Sequence, residues 1–414
     1  MMKLISTALV CLLVTQSGVA ENWPEFRGPT GQGISTATRV PTLWSATENI
    51  AWKQEVPGTG WSSPVIVDGR IYLTTAVEQA DAGKISLRTL CLDAASGRVI
   101  WNVETIQPAA EDAKVMHQKN SLASPTAIVH GDRVYVHYGH MGTAALDLAG
   151  KVLWRQTEIK YNPTHGNGGS PAVVDDLLVF SCDGAENPFL VALDRASGQV
   201  RWRVPRQATK AQTFSFCTPL VIDVLGAKQI ISPTSGFVSA YDPKDGREIW
   251  SVNYGEGFSV TPRPVFAHGL LYICTGYTRA NVMAIDPKDA RGDVTASHVR
   301  WQSNRSVPFT PSVLVVGDEL YFVSDNGVAT CLDARTGTQN WTERLGGAFS
   351  ASPISAGGHI YFLSEEGVTT VVKPGKTYEL VAKNDLGERA LASPAPADGA
   401  MFLRTQSHLW RVAN

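Results

Sequence analysis

Polar and aromatic side chains gather at a recurring place along this chain, in the few residues before a Ser-Pro or similar step. His117-Gln118-Lys119-Asn120-Ser121 lead into one such step, and Thr164-His165-Gly166-Asn167-Gly168-Gly169-Ser170 into the next. Lys210 and Thr213-Phe214-Ser215-Phe216 precede Cys217-Thr218-Pro219. Phe258-Ser259-Val260-Thr261 precede Arg263, which stands where other copies have Ser. Trp61, Phe309-Thr310 and Phe349-Ser350 hold the same place elsewhere. Cationic donors and imidazoles beside aromatic faces compose a polar pocket with stacking surfaces. Such a set can hold a carboxylated or carbonyl-rich ligand, a quinone for example, or a sugar-like one. The candidate ligand-binding residues are Trp61, His117, Lys119, Asn120, His165, Asn167, Phe214, Arg263, Phe309 and Phe349. No catalytic residue is singled out. His117 and His165 could share a metal, but no third ligand is evident and none is assigned. The plainer reading of the same residues is a solvated rim whose side chains satisfy loop backbones. His268 and His359 fall in turns between strands and are expected at the surface.

The elements that must position these leaders repeat. Residues 63–101 read as four short strands: Val65 to Val67, Ile71 to Thr75, Leu90 to Leu92, and Val99 to Trp101. Asp68-Gly69 and Ser96-Gly97 supply the tight reversals. The closing phrase recurs as CLDAASGRVIW, ALDLAGKVLW, ALDRASGQVRW, AYDPKDGREIW and CLDARTGTQNW, and in a longer form ends at Trp301. The opening phrase recurs eight times, from SSPVIV to ASPAPADG. The eighth copy stops after three strands, whereas Asn49 to Lys53 resembles a fourth strand without an owner. Pairing the two seals a ring and removes exposed sheet edges. The predicted fold is all-β: an eight-bladed β-propeller of four-stranded antiparallel blades, closed by an N-terminal strand that completes the last blade. A parallel β-helix would have shorter repeats, and no linker near residue 210 separates two smaller rings. Within this frame the leaders above sit at the mouth of the central channel. The repeat Trp residues (52, 101, 154, 202, 250, 301 and 341) are expected to pack between blades, and the repeat Asp residues to form turns.

Length and charge bound the rest. The chain has 414 residues and a formal net charge of −2, with acids and bases interspersed. It lacks the basic face of a nucleic-acid partner. Met1-Met2-Lys3, an apolar run and small residues at Gly18 and Ala20 read as a secretory signal cleaved near Ala20. Cys11 follows Leu9-Val10, so no lipid anchor is expected, and no later run is long enough to span a bilayer. The expected organisation is a signal peptide over 1–20, an extended arm over 21–47, and the propeller over 48–414. After cleavage five cysteines remain: Cys91, Cys182, Cys217, Cys274 and Cys331. An odd number leaves at least one thiol unpaired, and their apolar surroundings mark them as buried small hydrophobes.

The phrase A-x-D-x-x-(T/S)-G-x-x-x-W, present here as LDAASGRVIW, LDRASGQVRW, YDPKDGREIW and LDARTGTQNW, resembles the pyrroloquinoline-quinone (PQQ) repeat. The resemblance covers nearly the whole mature chain. The opening WPEFRGPTGQG looks like the arm on exported PQQ-like propellers of planctomycete-type bacteria. The resemblance implies one of two functions. One branch of the family is cofactor-free and binds proteins, as in outer-membrane β-barrel assembly. The other is quinoprotein oxidoreductases, which hold PQQ and calcium with a catalytic Asp, many with a vicinal disulfide. This chain has no vicinal Cys pair and no evident calcium set, and it also lacks the lipid-anchor motif of the assembly lipoprotein. The expectation is a periplasmic or secreted monomer. It would bind an envelope protein or small molecule, with a quinoprotein or other channel-mouth enzyme as the alternative and PQQ with calcium as that alternative's cofactor.

Overall fold

One turn recurs around the molecule and accounts for the regularity of its sequence. In the computed structural model, which describes residues 21–79, 83–114, 117–208 and 212–414, Asp93 Oδ1 accepts the Ser96 amide at 2.8 Å and the Ser96 hydroxyl at 2.6 Å. Asp194 holds Ser197 and Asp333 holds Thr336 in the same way. The hydroxyl bonds of Ser96 and Ser197 hold the Asp93 and Asp194 carboxyls below the usual carboxylate range. The signal peptide expected over 1–20 and Lys210 lie outside the described residues.

Each turn joins the third and outer strands of an antiparallel sheet, and eight such sheets are present among the described residues. The first consists of Val65–Val67, Arg70–Gln79, Lys84–Asp93 and Val99–Ile106. The eighth takes three strands from the C-terminus, Ala395–Ala397, Ala400–Arg404 and His408–Val412. Its outer strand is Ile50–Glu55, with Lys53 opposite Trp410 and Gln54 opposite Leu409. The ring is therefore closed as predicted, and blade eight has no unpaired outer position. Among the described residues no helix is long and apolar enough to cross a membrane. The inner strands surround the axis. Blade-to-blade connections and the loops between second and third strands form the upper face, and the Asp turns form the base.

The repeat Trp residues join neighbouring blades. Indole N–H groups of Trp52, Trp101, Trp154, Trp202, Trp301 and Trp341 donate to carbonyls in the next blade's turn at 2.9–3.2 Å. The turn glycine lies flat on the indole. A Cβ on Gly198, at φ +74°, would come 2.6 Å from Trp154. Gly198→Ala is therefore expected to destabilise by more than about 1 kcal/mol, from left-handed strain and overpacking together, read as a lower urea midpoint. Trp250 departs from the expected pattern. Blade five's turn is longer, and its Gly292–Asp293 segment pairs in parallel with Trp250 and Ser251. The Trp250 indole bonds Gln229 of its own blade instead. All five described cysteines are free and buried, and burial raises the Cys91 and Cys331 thiols to about 11.

The arm crosses the base of the channel. Trp23 pairs with Ile66 of blade one, and Pro24 accepts the Val129 amide of blade two. On the far side Arg27 donates to the carbonyls of Val313 (2.7 Å) and Pro353 (3.4 Å) in blades six and seven. Ile34 then bridges to Ser355, and Trp44, stacked on Tyr361, bonds Asn384 in blade seven. Trp23, Arg27, Val40 and Trp44 are buried, so the arm is part of the body's packing.

Candidate functional site

The position two residues before each inner strand is occupied by Ser63, Thr126, Ser170, Thr218, Arg263, Ser312, Ser352 and Ser393 in blade order. Seven carry a hydroxyl. Each of these oxygens accepts the backbone N–H at the equivalent position of the preceding blade, at 2.9–3.1 Å. A ring of hydroxyl–amide bonds thus encircles the axis, with the break at blade five. There Arg263 sends its guanidinium down to the arm, donating to Phe26 O at 2.6 Å and pairing with Glu25 at 3.2 Å. Burial raises the Glu25 carboxyl despite this partner.

Above the ring lies a cavity of about 580 Å³, lined by all seven ring hydroxyls, with Phe26 of the arm among its walls. Its size falls in the range of small-ligand sites. Aromatic rings form a continuous arc around the upper part. His117 meets His165 at 5.3 Å between centroids, His165 meets Phe214 at 5.2 Å, and Phe214 meets Phe258 at 5.5 Å. Phe258 then meets Tyr277 at 5.6 Å, and Tyr277 meets Phe309 at 5.3 Å. Tyr277 is 49% exposed, which places a large aromatic face on the rim itself. Burial, and then the neighbouring His117, push the His165 pKa down from its ordinary value.

The opposite side is held by charge. Lys119 reaches across the mouth to Glu365 at 2.8 Å and Asp325 at 3.9 Å. Arg389 donates to Gln118 O at 3.4 Å and lies over the Trp61 ring at 5.6 Å. Residues 117–120, from the long connection between blades one and two, are thereby strapped to blades six, seven and the following connection. These contacts are partly exposed and individually weak. Lys119→Met is expected to change global stability by less than about 1 kcal/mol while raising amide exchange locally over 117–120. Unchanged exchange would mean that the ion pairs do not hold the strap.

Of the predicted residues, Trp61, His117, Lys119, Asn120, His165 and Phe309 line this cavity. The other four are placed differently. Phe349 is buried in the packing between blades six and seven, because its side chain turns into the sheet interface and away from the lumen. Phe214 is buried behind His165 and Phe258. Asn167 bonds Tyr161 and Gly169 and braces its own loop. Arg263 points down to the arm. Asn120 lies at the wall with its amide spent locally: it donates to His165 O and accepts from Ser124. Reading only the blade leaders missed Tyr277 and Asp325, which come from loops between second and third strands, and Phe26 from the arm. The regular Ser or Thr before each inner strand was the available signal for the ring. His268 sits in a turn as expected and bonds Gly317 O, whereas His359 opens the strand His359–Leu363 and bonds Gly357 O; both are half-buried, because each ring folds back onto a carbonyl.

The donor set does not suit PQQ with calcium. Calcium takes 6–8 oxygen ligands, several of them carboxylates. Asp325 is the carboxylate among the lining residues, and its Oδ2 already accepts the amides of Phe309 (2.7 Å) and Thr310 (3.3 Å). No group of three or more His, Cys, Asp or Glu suited to a metal ion occurs among the described residues.

Residues 28–181, 160–296 and 289–379 match the family model described as outer membrane protein assembly factor BamB. The outer membrane protein assembly factor BamB of Moranella endobia (strain PCIT) is 24% identical over 267 residues, 60% of this chain and 61% of that relative. The quinohemoprotein alcohol dehydrogenase ADH IIB of Pseudomonas putida is 26% identical over 160 residues, 37% of this chain and 21% of that relative. The chain thus spans less than two thirds of either curated relative. Among solved structures, BamB from Moraxella catarrhalis superposes with a TM-score of 0.59 at 13% identity, covering 87% of this chain and 97% of that one, a likeness of fold.

Proposed function

The chain belongs to the propeller family described by the assembly factor BamB, and from that premise we propose that it is an exported envelope module that binds protein through the upper face of its ring. The observation that carries the reading is the aromatic arc from His117 to Phe309, with Tyr277 half exposed on the rim. Exposed aromatic faces set beside a polar rim are the composition of a binding centre. The partner is an envelope protein, in keeping with the names of the assembly-factor relatives. The protein acts as a monomer, and the signal peptide is removed before Glu21. N-terminal sequencing of protein from the periplasmic fraction should therefore begin at Glu21.

A photo-crosslinking residue at position 277 tests the docking face. It should capture a specific envelope protein in the native host, whereas the same residue at Leu225, 78% exposed on the base, should not. Tyr277→Ala with Phe258→Ala should reduce co-purification of that protein about tenfold or more, the loss of one or two aromatic anchors. Equal capture from both faces, or none from position 277, would reject the upper face as the docking site.

A further inference from the structure

The hydroxyl ring carries unspent hydrogen-bonding capacity. Ser63, Thr126, Ser170, Thr218 and Ser393 each use the oxygen to accept a neighbouring amide. None of the five donates its own proton to a protein acceptor among the described residues, and all five are at least nine-tenths buried and line the cavity. Buried donors are normally satisfied. The cavity wall thus presents an arc of O–H donors from five consecutive blades, eight and one to four.

Beneath the ring two guanidinium groups, Arg27 and Arg263, stand against one carboxyl, Glu25. Arg27 is buried at the base, bonded to the carbonyls that follow Ser312 and Ser352, and its Nε and Nη1 have no partner. Glu25 is paired with Arg263 and leaves Arg27 without a carboxylate contact. The acid on the wall, Asp325, lies higher, opposite Lys119. Converging O–H donors above an unpaired guanidinium favour an anionic acceptor. The apolar faces above the ring, from Trp61, Phe216, Phe258 and Phe309, favour an apolar or aromatic body.

We propose that the cavity is a receptor for a carboxylate, held on the channel axis by the hydroxyl ring with its apolar body among the aromatic side chains. The inference is independent of protein docking on the rim. Two sources share this chemistry, a free aryl or alkyl carboxylate and the C-terminus of a peptide.

The test is calorimetric titration of the mature protein with 3-phenylpropionate and with N-acetylphenylalanine, each against its carboxamide. Both acids are expected to bind more tightly than the amides by about tenfold or more, since hydrogen bonds to an ionised acceptor are roughly twice as strong as neutral ones. A tighter N-acetylphenylalanine identifies a peptide C-terminus as the source, and a tighter 3-phenylpropionate a free acid. Gly168→Leu provides the second arm. A Cβ at Gly168, on the cavity wall, would meet Phe216 at an ordinary 3.6 Å, so the variant fills the cavity without touching the ring. With its thermal transition unchanged, it should abolish the titration signal. Equal affinity for acid and amide, no saturable binding of either acid, or undiminished binding by Gly168→Leu would each overturn the proposal. The crosslinking result at position 277 would stand in all three cases.

Discussion

Arg206→Met is expected to lose about 3–5 kcal/mol of unfolding free energy at pH 7, the usual cost of leaving a buried charge unpaired. Arg206 and Asp183 lie between blades three and four with fully buried side chains, Nη1 to Oδ2 at 2.5 Å. Arg206 Nη2 also donates to Ser232 O at 2.6 Å. Burial raises the Asp183 carboxyl to about 6 even with this partner. A raised folded pKa adds stability below the unfolded value of about 3.8, and the contribution is lost as pH rises through about 6. Removing the arginine enlarges that effect. The deficit of Arg206→Met should therefore narrow as pH falls from 7 to 4, and Asp183→Asn in the same background should recover a large part of it. Urea unfolding at several pH values measures both. A deficit independent of pH, with no recovery in the double variant, would mean that lost packing and not the stranded carboxylate sets the cost.

Arg263→Ser completes the hydroxyl ring and is nevertheless expected to destabilise the protein by about 3 kcal/mol. An eighth hydroxyl–amide bond would contribute about 0.5–1.5 kcal/mol. Against it stand the guanidinium bonds to Phe26 O and Pro219 O and the pair with Glu25. Losing them leaves Glu25 unpaired beneath the cavity and reduces the arm's hold on blade five to the bond from the Phe266 amide to Gln32 Oε1. Limited proteolysis within residues 21–47 should accelerate together with the loss of stability. Stability equal to or above that of the unaltered protein would show that ring continuity, not arm anchorage, is what this position serves.

The blade leaders show how far a residue's place in the repeat predicts its role. Phe309 and Phe349 lead into adjacent blades and read alike in sequence. One ring lines the lumen and the other is buried between blades six and seven. The difference lies in what each connection packs against, which residue type does not encode. Arg263 was visible as an odd member of a Ser series, but its partners Glu25 and Phe26 are more than two hundred positions away. A contact at that separation leaves no periodic trace, and the arm's passage beneath the channel left none either.

The sequence by itself determined the ring. Asp for the turn, Gly where an indole leaves no room for a Cβ, Trp to reach the next blade, and an ownerless strand at residues 49–53 are local requirements, each met by few residue types. Only the tertiary structure decided the site. The hydroxyl ring, the aromatic arc, the strap at Lys119 and the arm through the base arise when residues from different blades converge on one axis. Convergence depends on closure of the whole ring, and no single repeat contains it.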